Sequence, residues 1–203
     1  MEYSSGLGGE RWYQQDIEYV LNLLDQGLTR DEIRESVLNE NPFFVKTQAA
    51  LQKRFQIVFK RASSLTPELR NLYLNGTKYD KKALILYTIL KTYRYAYENF
   101  YELIIYRYQQ KNKQFVLGHL QSFMEEKEQQ SEKVLKWSHI SKKKVNNALL
   151  LFYSDGGIIE LNEGVYVITP LYVSKQLKDY AAKQDSLLHA MITLQAGVEI
   201  DDL

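Results

Sequence analysis

The sequence predicts a mainly α fold: a helical bundle with an N-terminal helix-turn-helix-like part and a C-terminal winged-helix-like part that contains one β-hairpin. Apolar residues recur at spacings of three and four through most of the chain, which is the helical period. Residue types that favour the start or the end of a helix lie on either side of these stretches. Two adjoining runs, 158–161 and 165–168, are instead rich in β-branched residues and predict the hairpin.

The composition is that of an ordinary globular protein. Of 203 residues, 45% are hydrophobic and 25% are charged, and no cysteine is present to form a disulfide. The start of the chain is polar and glycine-rich, and no run approaches ~20 uninterrupted apolar residues. We therefore expect a cytoplasmic protein without membrane contact. We divide it into an N-terminal part (1–65), a central helical part (66–130) and a C-terminal part with an acidic tail (131–203).

The N-terminal part begins with two predicted helices. The first covers residues 12–25, where apolar residues lie on one face. Thr29 and Glu32 then form the pattern of a capping box, in which each side chain binds the backbone amide of the other residue. The second helix runs from there to about Asn39, because Pro42 disfavours helical conformation in the residue before it.

A third helix is predicted from Thr47 to about Ser63. Its buried stripe consists of Leu51, Phe55, Val58 and Ala62, and its remaining surface carries Gln48, Gln52, Lys53, Gln56, Lys60 and Arg61. A short helix followed by a longer basic helix outlines a helix-turn-helix. The connection 41–46 is longer than is usual in that motif, so a plain packing helix is an equally good interpretation.

The middle of the chain predicts a short helix and a long one. Pro67 stands at the favoured first position of the short helix. Asp80 is expected to cap a helical region that reaches toward Asn112, with a break near 98–99, since ~32 residues exceeds the usual helix length. Tyrosines at 93, 97, 101 and 108 are spaced to stack on bases. Interleaved isoleucines and leucines favour core or subunit packing for them.

The last part predicts helices around the hairpin. One helix covers 115–128, and another starts at a Ser141 cap and stops at Asp155-Gly156-Gly157. The sequence Asn162-Glu163-Gly164 suits a three-residue hairpin loop with its glycine in the left-handed conformation. A final helix is expected to open at Pro170 and to reach about Lys183.

Basic and amide side chains mark two candidate DNA-contacting helices. From 41 to 67 there are five basic residues and no acid, whereas 155–203 has three basic and eight acidic residues. The net charge of +1 is therefore the sum of basic and acidic regions. A local basic region matters more for phosphate binding than the net charge of the whole chain does. The residues expected to contact DNA are Lys46, Gln52, Lys53, Arg54, Lys60 and Arg61 in the first helix region and Lys142, Lys143, Lys144, Asn146 and Asn147 in the second. Adjacent lysines hold the backbone better than they distinguish bases, so we expect weak sequence preference.

No pattern in the sequence predicts catalysis. The three histidines are far apart, and without cysteine a zinc site is not expected. The segment Gly6-Leu7-Gly8-Gly9 lacks the strand, lysine and serine of a phosphate-binding loop. We expect no enzyme activity, cofactor, metal or small-molecule substrate.

The chain resembles the BrxA family of the bacterial BREX (bacteriophage exclusion) defence systems. The resemblance rests on Gly27-Leu28-Thr29 followed by Glu32-Ile33, on Glu40-Asn41 with Phe43, on the Thr47 helix with Arg54 and Arg61, and on the 138–157 segment with its Gly-Ile-Ile entry into a hairpin. It implies a small, mostly helical, non-enzymatic component that binds double-stranded DNA and works beside a methyltransferase, an ATPase and other BREX proteins.

Two alternative functions stay open at this point. Both helix-turn-helix outlines are also compatible with a scaffold that holds partner proteins within the defence complex, with the aromatic region 87–108 as a contact surface. A helical bundle that binds RNA, as antitermination factors do, is the other alternative.

Overall fold

The computed structural model describes residues 1–195, most of which are helical. The expected mainly α fold with a hairpin is confirmed, and the hairpin belongs to a small antiparallel sheet. After a 3-10 turn at Ser5–Gly9, the first helices are α1 (Gln14–Asp25), α2 (Arg30–Glu40), α3 (Gln48–Ala62) and α4 (Pro67–Asn75). These bounds lie close to the predicted ones. The Thr29–Glu32 capping box is present as expected, and the Thr47 hydroxyl caps α3.

The long central helix is divided at a different place from the one predicted. Its parts are α5 (Lys78–Thr92), α6 (Arg94–Asn99), a π-helical segment (Phe100–Ile105) and α7 (Tyr106–Gln109). Tyr93 has an extended backbone, so the interruption comes before Glu98 and Asn99. At Asn99, where the break was expected, the helix changes from α to π and stays helical. Asp80 is not the N-cap of α5. Thr77 is, and Asp80 completes its capping box from the third helical position.

The remaining elements include a strand that the sequence did not reveal. They are β1 (Gln114–Phe115), α8 (Leu117–Gln130), α9 (Glu132–Leu135), α10 (His139–Gly156), β2 (Ile159–Asn162), β3 (Val165–Ile168), α11 (Lys175–Gln184) and α12 (Ser186–Thr193). The sheet has the order β1-β3-β2, with both neighbouring pairs antiparallel. Phe115, predicted as helical, is therefore a strand residue.

Three further boundaries differ from the prediction. The N-cap of α10 is Ser138, whose hydroxyl accepts from the Ser141 amide, so that helix starts earlier than expected. The hairpin loop has two residues, because Asn162 pairs with Val165 and both Glu163 and Gly164 have positive φ, as the tightest hairpin turns require. Ser174 caps α11, so Pro170 does not open a helix.

Helix α5 is the centre of the fold. Every residue from Ala83 to Leu90 is buried, because α5 packs against α3, α4, α10 and α12. Gly156 permits the approach of α10, since a Cβ there would lie 2.8 Å from Cδ2 of Leu86. One hydrophobic cluster extends from Tyr3 to Leu194. Elements from both ends of the chain therefore share a core.

The N-terminal 3-10 turn packs against the C-terminal part. It packs along α10, with Leu7 fully buried and Gly8 directly against the backbone of Lys144 and Val145. Within residues 1–195 no helix combines the length and apolarity needed to span a membrane.

Candidate nucleic-acid interface

The outer face of α3 carries basic and amide side chains. Leu51, Phe55 and Val58 face inward, since α3 packs against α1, α2 and α5. Helical periodicity then leaves the opposite face in solvent, and its exposed residues are Gln52, Lys53, Gln56 and Lys60. Lys46, in the connection before α3, is also exposed. These positions agree with the exposure assumed for them from the sequence.

Arg54 is held inside the N-terminal part. Its Nε donates to Oδ2 of Asp16 at 2.5 Å, one terminal nitrogen donates to the Phe43 carbonyl at 3.2 Å, and its guanidinium lies over the Tyr13 ring. Burial raises the pKa of Asp16 although Arg54 favours the carboxylate. Arg54 therefore joins α3 to α1 and to the connection before α3, with two of the five N–H donors of its guanidinium.

Arg61 is fully buried, and its expected place on the outer face is wrong. Its guanidinium nitrogens donate to the hydroxyl of Thr88 at 3.1 Å and to the carbonyls of Arg11 and Trp12 at 2.7 and 3.2 Å. Oε2 of Glu10 lies 3.8 Å away. Burial lowers the pKa of Arg61 to about 10, so it still carries its charge at neutral pH. It holds the segment after the N-terminal turn against α3 and α5.

On α10, three of the five predicted residues point to solvent. Lys143, Lys144 and Asn147 are exposed on the side opposite to the buried Leu149. The same exposed side also carries two apolar residues, Ile140 (66% exposed) and Leu151 (59% exposed). This face therefore combines two lysines and an amide with apolar surface.

Lys142 and Asn146 are engaged within the protein. Nζ of Lys142 lies 2.9 Å from Oε2 of Glu128 on α8. The Asn146 side chain accepts from the Tyr95 hydroxyl at 2.9 Å and donates to the Leu120 carbonyl at 3.3 Å. Both residues line a groove between α8 and α10 and are only partly exposed. Their side chains hold α10 against α8, which the sequence pattern did not show.

The tyrosines of the central region pack against the core. Tyr93 donates to Glu10, and Tyr97 and Tyr101 contact each other with ring centroids 4.8 Å apart. Tyr93, Tyr97, Tyr101 and Tyr108 are all partly buried against the hydrophobic cluster. The positions of these tyrosines therefore favour a role in core packing over stacking on bases.

A cleft between α3 and α9 contains basic residues that the sequence analysis did not select. It has a volume of about 690 Å³, and its lining includes Gln56 and Lys60 from α3, Lys91 from α5 and Lys133 from α9. Lys91 and Lys133 were missed because neither belongs to one of the two predicted DNA-contacting helices. Only the packing of α3, α5 and α9 brings them together.

Residues 1–195 contain no group of three or more histidine, aspartate or glutamate side chains that is arranged to hold a metal ion.

Comparison with known proteins places the chain among phage-defence proteins. The model of a family described as BrxA matches residues 1–185. A protein of Bacillus cereus (strain H3081.97), described as BREX protein BrxA, is 27% identical over 156 residues, which are 73% of this chain and 74% of that protein. The crystal structure of an uncharacterized protein from Magnetospirillum magneticum superposes with a TM-score of 0.78 over 97% of this chain and 100% of that one. At 14% identity, this last likeness concerns the fold alone.

Proposed function

The chain belongs to the BrxA family, and on that premise we propose that it is a double-stranded DNA-binding component of a bacterial BREX phage-defence system. In this proposal it acts in the cytoplasm without catalysis, beside other BREX proteins such as a methyltransferase and an ATPase. The three-part division at residues 65 and 130 belongs to the same proposal: the first and last parts contact DNA, and the central part joins them.

The observation that carries the proposal is the exposure of lysines on α3 and α10. Lys53 and Lys60 on α3 and Lys143 and Lys144 on α10 are exposed, and no carboxylate of residues 1–195 lies within 4.0 Å of their ammonium groups. Such side chains release counterions when they neutralise phosphates, which supplies most of the affinity of sequence-independent DNA binding.

The order of elements around α10 supports the same function. A helix, β1, the three helices α8, α9 and α10 and the β2–β3 hairpin follow one another, with the strands in the order β1-β3-β2. This order resembles that of a winged helix, in which the helix before the hairpin enters a groove of the duplex. The loop at Glu163–Gly164 would then lie beside the sugar-phosphate backbone.

The pair α2 and α3 supplies the second proposed contact. The outer face of α3 presents Gln52, Lys53, Gln56 and Lys60, side chains that bind phosphates and base edges. Lys46 and Asn147 complete the set, whereas Arg54, Arg61, Lys142 and Asn146 have structural roles. Because lysines dominate, binding through the backbone with weak sequence preference is the expected behaviour.

Charge reversal at the exposed lysines tests the proposal. We expect the wild-type protein to bind random-sequence duplex DNA. The logarithm of its association constant should fall linearly with the logarithm of the salt concentration. Lys53, Lys60, Lys143 and Lys144 changed together to glutamate should weaken binding and flatten this dependence. The matched control changes Lys78, Lys82, Lys178 and Lys183, which are exposed elsewhere. Equal affinities of the two variants in fluorescence anisotropy would contradict the proposal, and preferential competition by single-stranded RNA would favour the RNA-binding alternative.

A scaffold is the second candidate, because α10 exposes Ile140 and Leu151 beside its lysines. Exposed apolar side chains on one helix face are typical of protein-binding surfaces. In this case Ile140→Ser with Leu151→Ser would abolish retention of purified BREX proteins, while the wild-type protein would pass through heparin and duplex-DNA columns at low salt. Retention of the wild-type protein on both columns would favour the DNA-binding proposal instead.

A further inference from the structure

The cleft between α3 and α9, which we call the lysine cleft, gathers ammonium groups from three separate elements. Lys60 comes from α3, Lys91 from the end of α5 and Lys133 from α9. Tyr93 and Trp137 also line it, together with the polar residues Ser4, Ser5 and Gln56. The lysine cleft thus presents positive charge and hydrogen-bond donors around a partly aromatic lining.

Two of its three lysines have no partner of opposite charge within residues 1–195. The ammonium nitrogen of Lys60 lies 5.8 Å from the Tyr93 ring centroid, and that of Lys91 lies 5.5 Å from the Tyr87 ring centroid. No carboxylate of residues 1–195 lies within 4.0 Å of either nitrogen. The positive charge of these two lysines is therefore available to an anion from outside the protein.

The third lysine is paired with an acid at the start of the chain. Nζ of Lys133 lies 2.7 Å from Oε2 of Glu2, and both side chains are largely exposed. Glu2 is the one acidic residue among those that line the cleft. An exposed ion pair of this kind is weak, because water and salt screen it. A phosphate that approaches Lys133 could therefore displace the Glu2 carboxylate.

The position of the cleft relates it to the outer face of α3. Gln56 and Lys60 belong both to that face and to the cleft lining. On the other side, Lys133 and Trp137 lie just before α10 in the chain. A backbone that crosses α3 at Lys60 would therefore meet Lys91 and Lys133 next. The cleft provides a basic path from one proposed DNA-contacting helix toward the other.

We propose that the lysine cleft binds the phosphate backbone of the same duplex, with Lys91 and Lys133 as contacts, and that Glu2 competes with the phosphates for Lys133. This inference rests on the proposed DNA-binding function and adds to it a continuous footprint. Phosphodiester is the ligand class that the cleft favours, since its lining has three lysines and one carboxylate.

The test compares five single variants in duplex-DNA titrations over a range of salt. Lys91→Glu and Lys133→Glu should each weaken binding equally for duplexes of different sequence and lower the magnitude of the salt slope by about 1. Glu2→Gln should tighten binding and steepen the slope, because no internal carboxylate then occupies Lys133. Lys82→Glu is the control: it makes the same charge change on the opposite side of α5 from Lys91.

The outcomes separate this inference from the proposed function. If the wild-type protein binds duplex DNA and Lys91→Glu and Lys133→Glu match Lys82→Glu, the lysine cleft is not a phosphate site, although the proposed function stands. If Glu2→Gln leaves affinity and slope unchanged while the lysine variants weaken binding, Glu2 is not a competitor. Absence of duplex binding by the wild-type protein overturns the proposed function and this inference together. Lys91→Gln, which removes charge without reversing it, should show a smaller effect in the same direction.

Discussion

Gly8 in the N-terminal turn lies so close to Lys144 on α10 that a Cβ at position 8 would come within 2.9 Å of the Lys144 Cβ. The backbone nitrogen of Val145 would be only 3.0 Å away. A few residues later, the carbonyls of Arg11 and Trp12 accept from Arg61 of α3. The start of the chain therefore contacts both helices that are proposed to bind DNA, and it fixes their relative positions.

Gly8→Ala is expected to lower the free energy of unfolding by about 1–3 kcal/mol. The added methyl group meets backbone atoms of α10, which cannot rotate away as a flexible side chain would, so the turn must shift. Gly9→Ala is the matched control, since within residues 1–195 no atom other than those of its chain neighbours lies within 4 Å of a Cβ at that position, and it should change stability by no more than about 0.5 kcal/mol. Urea denaturation of both variants checks this, and equal midpoints would show that the turn adapts freely.

Neighbouring residues on α3 should separate a structural role from a binding role. Arg61→Met leaves Glu10 buried without its cation and should cost about 3–5 kcal/mol of stability. Lys60→Met, at an exposed position, should change stability by about 0.5 kcal/mol or less while it weakens duplex binding. Thermal denaturation and DNA titration of the two variants give both readouts. A strongly destabilised Lys60→Met, or an Arg61→Met variant of normal stability, would contradict these roles.

The three lysines of α10 should differ in their effect on DNA binding. Lys142 is held by Glu128 on α8, whereas Lys143 and Lys144 are exposed. Lys143→Gln with Lys144→Gln should therefore flatten the salt dependence of duplex binding, and Lys142→Gln should leave it nearly unchanged. Titrations at several salt concentrations check this. The opposite ranking would mean that the Lys142–Glu128 pair opens when DNA binds.

Local signals in the sequence predicted most of the helices. The Thr29–Glu32 capping box and the Leu51–Phe55–Val58 stripe depend on residues within one or two turns of each other, so their patterns can be read without knowledge of the fold. The glycine stop after α10 is local in the same sense, since Gly157 has the positive φ that its sequence suggested. The existence of α3 and α10, though not the start of α10, was therefore predictable.

Features that depend on distant contacts were not predictable in this way. β1 has two residues, and it is a strand because Gln114 and Phe115 pair with Val167 and Tyr166. Arg61 is at the edge of the apolar stripe of α3, and it is buried between α5 and the segment around Arg11. The lysine cleft depends on the packing of three elements. The burial of these side chains and the set of residues in the cleft follow from tertiary structure. The spacing of apolar residues in the sequence does not determine that structure.

The buried carboxyl of Glu10 should make stability depend on pH. Burial raises the pKa of Glu10 above its ordinary value of 4.5, and the Tyr93 hydrogen bond and the Arg61 charge only partly oppose this. Its Oε2 atom is buried without a hydrogen-bond partner among residues 1–195. The folded protein therefore binds the Glu10 proton more tightly than the unfolded chain does. The stabilisation that results is fully present below the unfolded pKa and is lost as pH rises through the folded pKa.

Glu10→Gln isolates this effect, because the other titrating groups are shared by both proteins. The free energy of unfolding of the wild type minus that of Glu10→Gln should fall as pH rises from about 4.5 and should become constant above the folded pKa. Urea denaturation of both proteins from acidic to neutral pH measures this difference. A difference that rises with pH would mean that Arg61 and Tyr93 stabilise the carboxylate more than burial destabilises it, and that the pKa of Glu10 is lowered in the folded protein.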